Sequence, residues 1–93
     1  MEITYIEIIG YFGASLTTFS FLPQTIQTVK TKDTSSISLI MYLTFTIGVA
    51  FWLIFGFLSK NYIIVFANIL TLIFSSIILF IKIKNLRNGI DKY

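Results

Sequence analysis

The sequence contains no cysteine and no histidine. That excludes disulfide staples, thiolate chemistry, zinc sites of the usual Cys/His kind and imidazole acid–base catalysis. Charge is scarce as well: charged residues make up 12% of the chain and hydrophobic ones 56%, against roughly 25% and 45–50% in ordinary soluble domains. A water-soluble fold of 93 residues needs a charged coat, because it leaves a large share of its surface exposed. With a mean hydropathy of +0.88, the chain has no such coat. A soluble enzyme, a nucleic-acid-binding domain and a disordered tail are excluded together. No nucleophile–base pair or metal-ligand set is present, so neither enzymatic activity, a cofactor nor a bound metal is expected.

What the chain does have is three charge-free stretches, Ile8 to Val29, Thr34 to Ser59 and Asn61 to Ile81. Each supplies the roughly 20 helical residues that a hydrocarbon core about 30 Å thick requires. None is long enough to cross twice. Transmembrane β-strands would alternate in polarity, and runs such as Ile69-Leu70-Thr71-Leu72-Ile73-Phe74 do not. The expected fold is an all-α membrane protein, a three-transmembrane-helix bundle formed as a single unit. The helices are placed approximately at 4–30, 36–58 and 62–84, with 85–93 as a cytoplasmic tail. Asp33 or Thr34 is expected to cap the second helix. The first stretch does not read as a cleaved signal peptide, because Glu2 and Glu7 flank it and no small-x-small site follows.

Orientation follows from the positive side chains. Lys30, Lys32, Lys82, Lys84, Arg87 and Lys92 fall on one side of the three spans, and only Lys60 on the other. The positive-inside rule places the six-charge side in the cytoplasm and the N-terminus outside.

The first span is unusually polar, carrying Ser15, Thr17, Thr18, Ser20, Gln24, Thr25, Gln27 and Thr28 around Pro23, the chain's single proline. Proline removes one backbone hydrogen bond and frees the carbonyl of Phe19, which predicts a kink. Such breaks occur in membranes where a neighbour or a water-filled cavity satisfies the freed group. A kink used only for packing is the simpler account of a lone proline. Pro23-Gln24 in so polar a helix favours a functional bend.

In the second span Gly48, Trp52 and Gly56 recur every four residues. Small residues at this spacing usually mark close helix packing. Trp52 lies about 9 Å inward from Leu58 by helical rise, too deep for an interfacial anchor and suited to lining a recess. Asn68, the strongly polar side chain inside the third span, sits at a matching depth. By itself it reads as an interhelical hydrogen bond of roughly 0.6 kcal/mol. Beside an indole it acquires another meaning, because sugar C–H faces stack on aromatic rings while hydroxyls need a group that both donates and accepts. No span carries a charge, which argues against an ion-coupled pump. Three helices cannot surround a solute. Six can, and a parallel two-fold homodimer reaches that number.

The stretch Thr17-Thr18-Phe19-Ser20-Phe21-Leu22-Pro23-Gln24, followed by Thr31-Lys32-Asp33-Thr34-Ser35-Ser36-Ile37-Ser38 and Met41-Tyr42, resembles the PQ-loop signature of bacterial SemiSWEET sugar transporters. The run Gly48 to Gly56, then Ala67-Asn68-Ile69-Leu70-Thr71-Leu72, is similar as well, in order and over nearly the whole chain. The resemblance implies a homodimeric uniporter in the bacterial cytoplasmic membrane. It would move a neutral mono- or disaccharide, glucose- or sucrose-like, by alternating access. It implies substrate binding by Trp52 and Asn68, a hinge at Pro23 and Gln24, and an apolar cytoplasmic gate of Phe19, Met41 and Phe45. The outer gate falls on Phe55, Ser59 and Asn61, where several relatives have Tyr, Arg and Asp. Here a Ser59–Asn61 hydrogen bond or apolar contact through Phe55 would replace the charge pair. Membrane lipid is the other expected partner, and nucleic acid is not one. A PQ-loop transporter of a non-sugar solute, and a holin-like pore former or accessory subunit, are the alternatives.

Overall fold

The computed structural model describes residues 4–92, so Glu2 of the acidic flank lies outside them. Four helices follow one another: α1 (Tyr5–Phe19), α2 (Phe21–Thr31), α3 (Leu39–Leu58) and α4 (Tyr62–Arg87). α1 and α2 together form one broken span. The interruption falls at Ser20, between the freed Phe19 carbonyl and the proline ring that cannot donate to it. Side chains add hydrogen bonds to the backbone on either side of the interruption. Ser20 Oγ donates to Thr17 O at 2.6 Å, and Thr25 Oγ1 donates to Phe21 O at 2.8 Å.

Thr4 caps α1 by accepting from Glu7 N at 3.2 Å. The expected start of the second span at residue 36, capped by Asp33 or Thr34, is corrected. α3 begins at Leu39, and its cap is Ser38, which accepts from Met41 N at 3.3 Å. The reason is one local contact and one distant one. Asp33 Oδ1 is already engaged by the backbone N–H and hydroxyl of Ser35, at 3.0 and 2.7 Å. That Asx turn competes with helix formation, and Thr34 is drawn away toward the other end of the chain. Asn61 caps α4, accepting from Ile64 N at 3.3 Å.

α4 is the middle member of the bundle. α1, α2 and α3 each pack against it, while neither α1 nor α2 packs backbone-close to α3 among the described residues. The bundle measures 52 × 24 × 14 Å, long enough to span a bilayer and too thin to enclose a solute. α3 and α4 are each long and apolar enough to cross a membrane. Buried side chains are few: Ile37, Tyr42 and Ile78 form the apolar core with Phe21 and Leu79 against it. Large apolar groups such as Ile9, Phe12 and Leu16 stand exposed, as they do where lipid or a partner is the solvent.

Gly56 sets the spacing of α3 and α4. A Cβ there would lie 2.9 Å from Ile64 Cγ2, 3.0 Å from Val65 Cγ2 and 3.1 Å from Val65 N. Gly48, expected to share this role, has nothing within 4 Å. Only one of the two glycines packs within the chain.

The third span, placed at 62–84, runs further than expected. α4 runs on to Arg87, and the chain then turns back through Gly89 at φ 73°, with Ile90 N and Asp91 N donating to Asn85 O at 2.9 and 3.2 Å. This turn is packed, with Lys82 wholly buried beneath it.

Candidate functional site

The polar residues of α1 meet α4 midway along the bundle. The hydroxyls of Thr18 and Thr71 approach to 3.3 Å, and both reach the carbonyl oxygen of Ala67, at 3.4 and 2.8 Å. Beside this tie lies a groove of about 420 Å³ between α1 and α4, lined by Ala14, Thr17, Ala67 and Asn68 among others. Asn68 Nδ2 donates to Ile64 O at 2.8 Å. Among the described residues no donor meets its Oδ1, so the amide presents an acceptor, and its second N–H, to the groove. A hydroxylated solute could use both.

Trp52 does not line that groove. It is 57% exposed on α3, with its ring edge-to-face against Phe55 at a centroid distance of 5.5 Å and an interplanar angle of 89°. α4 lies between α1 and α3, so one chain leaves the indole and the carboxamide in separate surroundings. The open space at Gly48, one helical turn before Trp52, leaves the face beside the indole uncrowded.

Below this level, the break in the first span leans on α3. Gln24 Oε1 accepts from Tyr42 Oη at 3.2 Å. Phe21 stacks on Phe45 at 5.5 Å and 26°, and Tyr42 meets Phe45 at 6.0 Å. Pro23 itself faces outward, bordering an apolar recess with Leu22 and Ile26. Of the three apolar gate candidates, Phe45 is therefore joined to the segment that follows the break. Phe19 and Met41 project outward, 52% and 64% exposed.

At the opposite end, Ser59 and Asn61 line a cleft of about 250 Å³ with Glu7, Tyr11 and Lys60. Phe55 is not among its lining residues. Ser59 Oγ donates back to Phe55 O at 2.7 Å, while Asn61 is committed to capping α4. The two side chains do not bond to one another here. Glu7, Tyr11 and Lys60 were not among the gate residues expected above. The topology that brings the start of α1 beside the α3–α4 turn is the signal that could have found them.

With this architecture in view, the matches to known proteins are specific. The family model described as the PQ loop repeat covers residues 5–65. Across that stretch lie the break at Ser20, Pro23-Gln24 and the whole of α3. The "Sugar transporter SemiSWEET" of Leptospira biflexa is 47% identical over 77 residues, covering 83% of this chain and 91% of that protein.

The chain belongs to the SemiSWEET family of PQ-loop membrane proteins.

A second SemiSWEET, from Escherichia coli, is 39% identical over 82 residues, 88% of this chain and 92% of its own. A SemiSWEET crystal structure in the inward-open conformation superimposes with a TM-score of 0.86 at 37% identity, covering 94% of both chains. SemiSWEET relatives are named as transporters, and this chain is not an enzyme. The PQ-loop segment coincides with the broken span and its packing on α3, which is where the structure departs most from three straight helices. The buried polar group under the C-terminal turn lies beyond the matched segment.

Proposed function

We propose that the chain is a passive sugar transporter: two copies, parallel and two-fold related, carry a neutral mono- or disaccharide across the membrane by alternating access. The observation that carries this reading is the similarity, over most of the chain, to proteins named as sugar transporters. The geometry supports it. The amide of Asn68 faces an open groove, the ring of Trp52 is free on one side, and a single bundle is too thin to surround a solute. A second copy would supply the missing walls and a second pair of Trp52 and Asn68 side chains.

In this reading Trp52 stacks on the sugar ring and Asn68 bonds its hydroxyls. Pro23 and Gln24 form the hinge, and Phe19, Met41 and Phe45 close the cytoplasmic mouth. Phe55, Ser59 and Asn61 close the outer one by apolar contact and neutral hydrogen bonds. The N-terminus faces outward and the C-terminal turn the cytoplasm of a bacterial cell. The absence of charge from the three apolar stretches supports uniport over ion coupling.

Uptake of radiolabelled glucose and sucrose into proteoliposomes tests the proposal. Saturable flux that is lost in Trp52→Ala and in Asn68→Ala is the expected result. Flux that persists in both variants, or leaks without saturation, would overturn it.

A further inference from the structure

A buried polar network centred on Lys82 has no part in the site above. Lys82 is 0% exposed. Its Nζ donates to the backbone carbonyl of Thr34 at 2.9 Å and to Asp91 Oδ2 at 3.0 Å. The Thr34 hydroxyl donates to the same carboxylate oxygen. Asn85 Nδ2 donates to Lys32 O and to Thr34 Oγ1, both at 2.8 Å. A buried ammonium is tolerated only when it is paired and hydrogen-bonded, and here every partner comes from two segments. One is the loop that ends α2. The other is the turn that follows α4.

The placement of this network is specific. Lys32 ends α2 in the left-handed conformation, φ 59°, so its carbonyl points away from the helix and is free to accept. The turn through Gly89 returns Asp91 over Lys82, and Asn85 O holds that turn closed. At its other end α2 meets Ser20 and Pro23, where the helical ladder is interrupted. The next hydrogen-bonded tie to α4 is that of Thr18, across the break on α1. α2 therefore has one fastened end and one jointed end.

We infer that Lys82, Asn85 and Asp91 form a clasp that makes α2 and the end of α4 one rigid body, positioning the arm so that bending is confined to Ser20–Pro23. Without it the loop at 32–38 becomes a second joint, and displacement of α4 is no longer passed to Phe21 and the Phe45 ring it stacks on, or to Gln24 and its partner Tyr42. This role rests on the transporter reading for its consequence, but its geometry is tested separately.

The test is a distance measurement on the full chain in lipid nanodiscs. The chain has no cysteine of its own, so Lys30→Cys and Lys84→Cys, both at exposed positions outside the clasp, carry spin labels on α2 and α4. Dilution with unlabelled chain restricts the signal to pairs within one molecule. The unmodified clasp should give one narrow distance, retained in Asp91→Glu. Asn85→Ala and the double variant Lys82→Met/Asp91→Leu, which leaves no buried charge unpaired, should broaden it and add a longer component. In proteoliposomes the same two variants should lose most of the maximal exchange rate while KM for the sugar stays unchanged. Distances that stay narrow in both variants overturn the clasp, as do broadened distances with an undiminished rate. Absence of sugar flux in the unmodified chain would instead refute the transporter reading, with the distance result still deciding the clasp.

Discussion

Gly56→Ala should loosen the contact between α3 and α4, and the structure sets the size of the effect. The added methyl would sit 2.9–3.1 Å from Ile64 Cγ2, Val65 Cγ2 and Val65 N, where ordinary contact begins near 3.4 Å. Ile64 and Val65 are β-branched and hold essentially one rotamer in a helix, and the third atom is backbone. None can step aside, so the helices must separate by a few tenths of an ångström. Overpacking of this kind costs about 1–3 kcal/mol, offset by about 0.8–1.0 kcal/mol from the better helix propensity of alanine. The net expectation runs from near zero to a loss of about 2 kcal/mol, and about 1–3 kcal/mol below the matching glycine-to-alanine change at an open position. Equilibrium unfolding in mixed micelles, followed by the fluorescence of Trp52, the single tryptophan, measures it. Gly48→Ala is the internal control: nothing lies within 4 Å of its Cβ position, so the propensity gain should stand alone. A Gly56→Ala chain as stable as the Gly48→Ala chain would refute the close-approach argument.

Two further outcomes follow from the hinge and the C-terminal turn. Pro23→Ala restores an N–H that can reach the Phe19 carbonyl. Sugar affinity should be unchanged while exchange between inward- and outward-facing states slows, visible as a lower maximal rate of counterflow; an unaltered rate would count against the hinge. The Thr34 hydroxyl first, and then the Lys82 ammonium, hold the Asp91 carboxyl below the usual carboxylate range. Its ionised form therefore supports the turn at pH above about 4, where an unfolded aspartate is charged. That support fades as pH falls through the depressed pKa. Carboxyl NMR of Asp91 in nanodiscs should show a midpoint below about 3.9, moving upward but not fully restored in Lys82→Met. A midpoint at or above that value in the parent would contradict the contacts described.

Much of the architecture was readable from charge alone. Charged residues bound the three apolar runs, and Pro23 marks the break because its chemistry allows little else there. Asn68 also announced itself, as a carboxamide in an otherwise apolar span. The structure puts it on a groove with Thr17 and Thr18, neighbours whose polarity was visible in the first span. Other features depended on contacts between distant segments. The start of α3 shifted because Asp33 closes an Asx turn on Ser35 while Thr34 answers to Asp91. Lys82 read as one more cytoplasmic charge, since nothing near it in sequence suggests that Gly89 folds Asp91 back over it. Gly48 and Gly56 share a spacing, but only Gly56 has a neighbour, because it faces Ile64 and Val65 at the start of α4 while Gly48 faces open space.

The central place of α4 has a consequence for how the protein is made. Synthesis proceeds from α1 to α4, so every other helix is delivered to the bilayer before the one it leans on. Until α4 arrives, the hydroxyl of Thr18 lacks Thr71, and the carbonyls of Lys32 and Thr34 lack their donors. The early chain must wait, half-assembled, for its last helix to supply the surface that orders the rest.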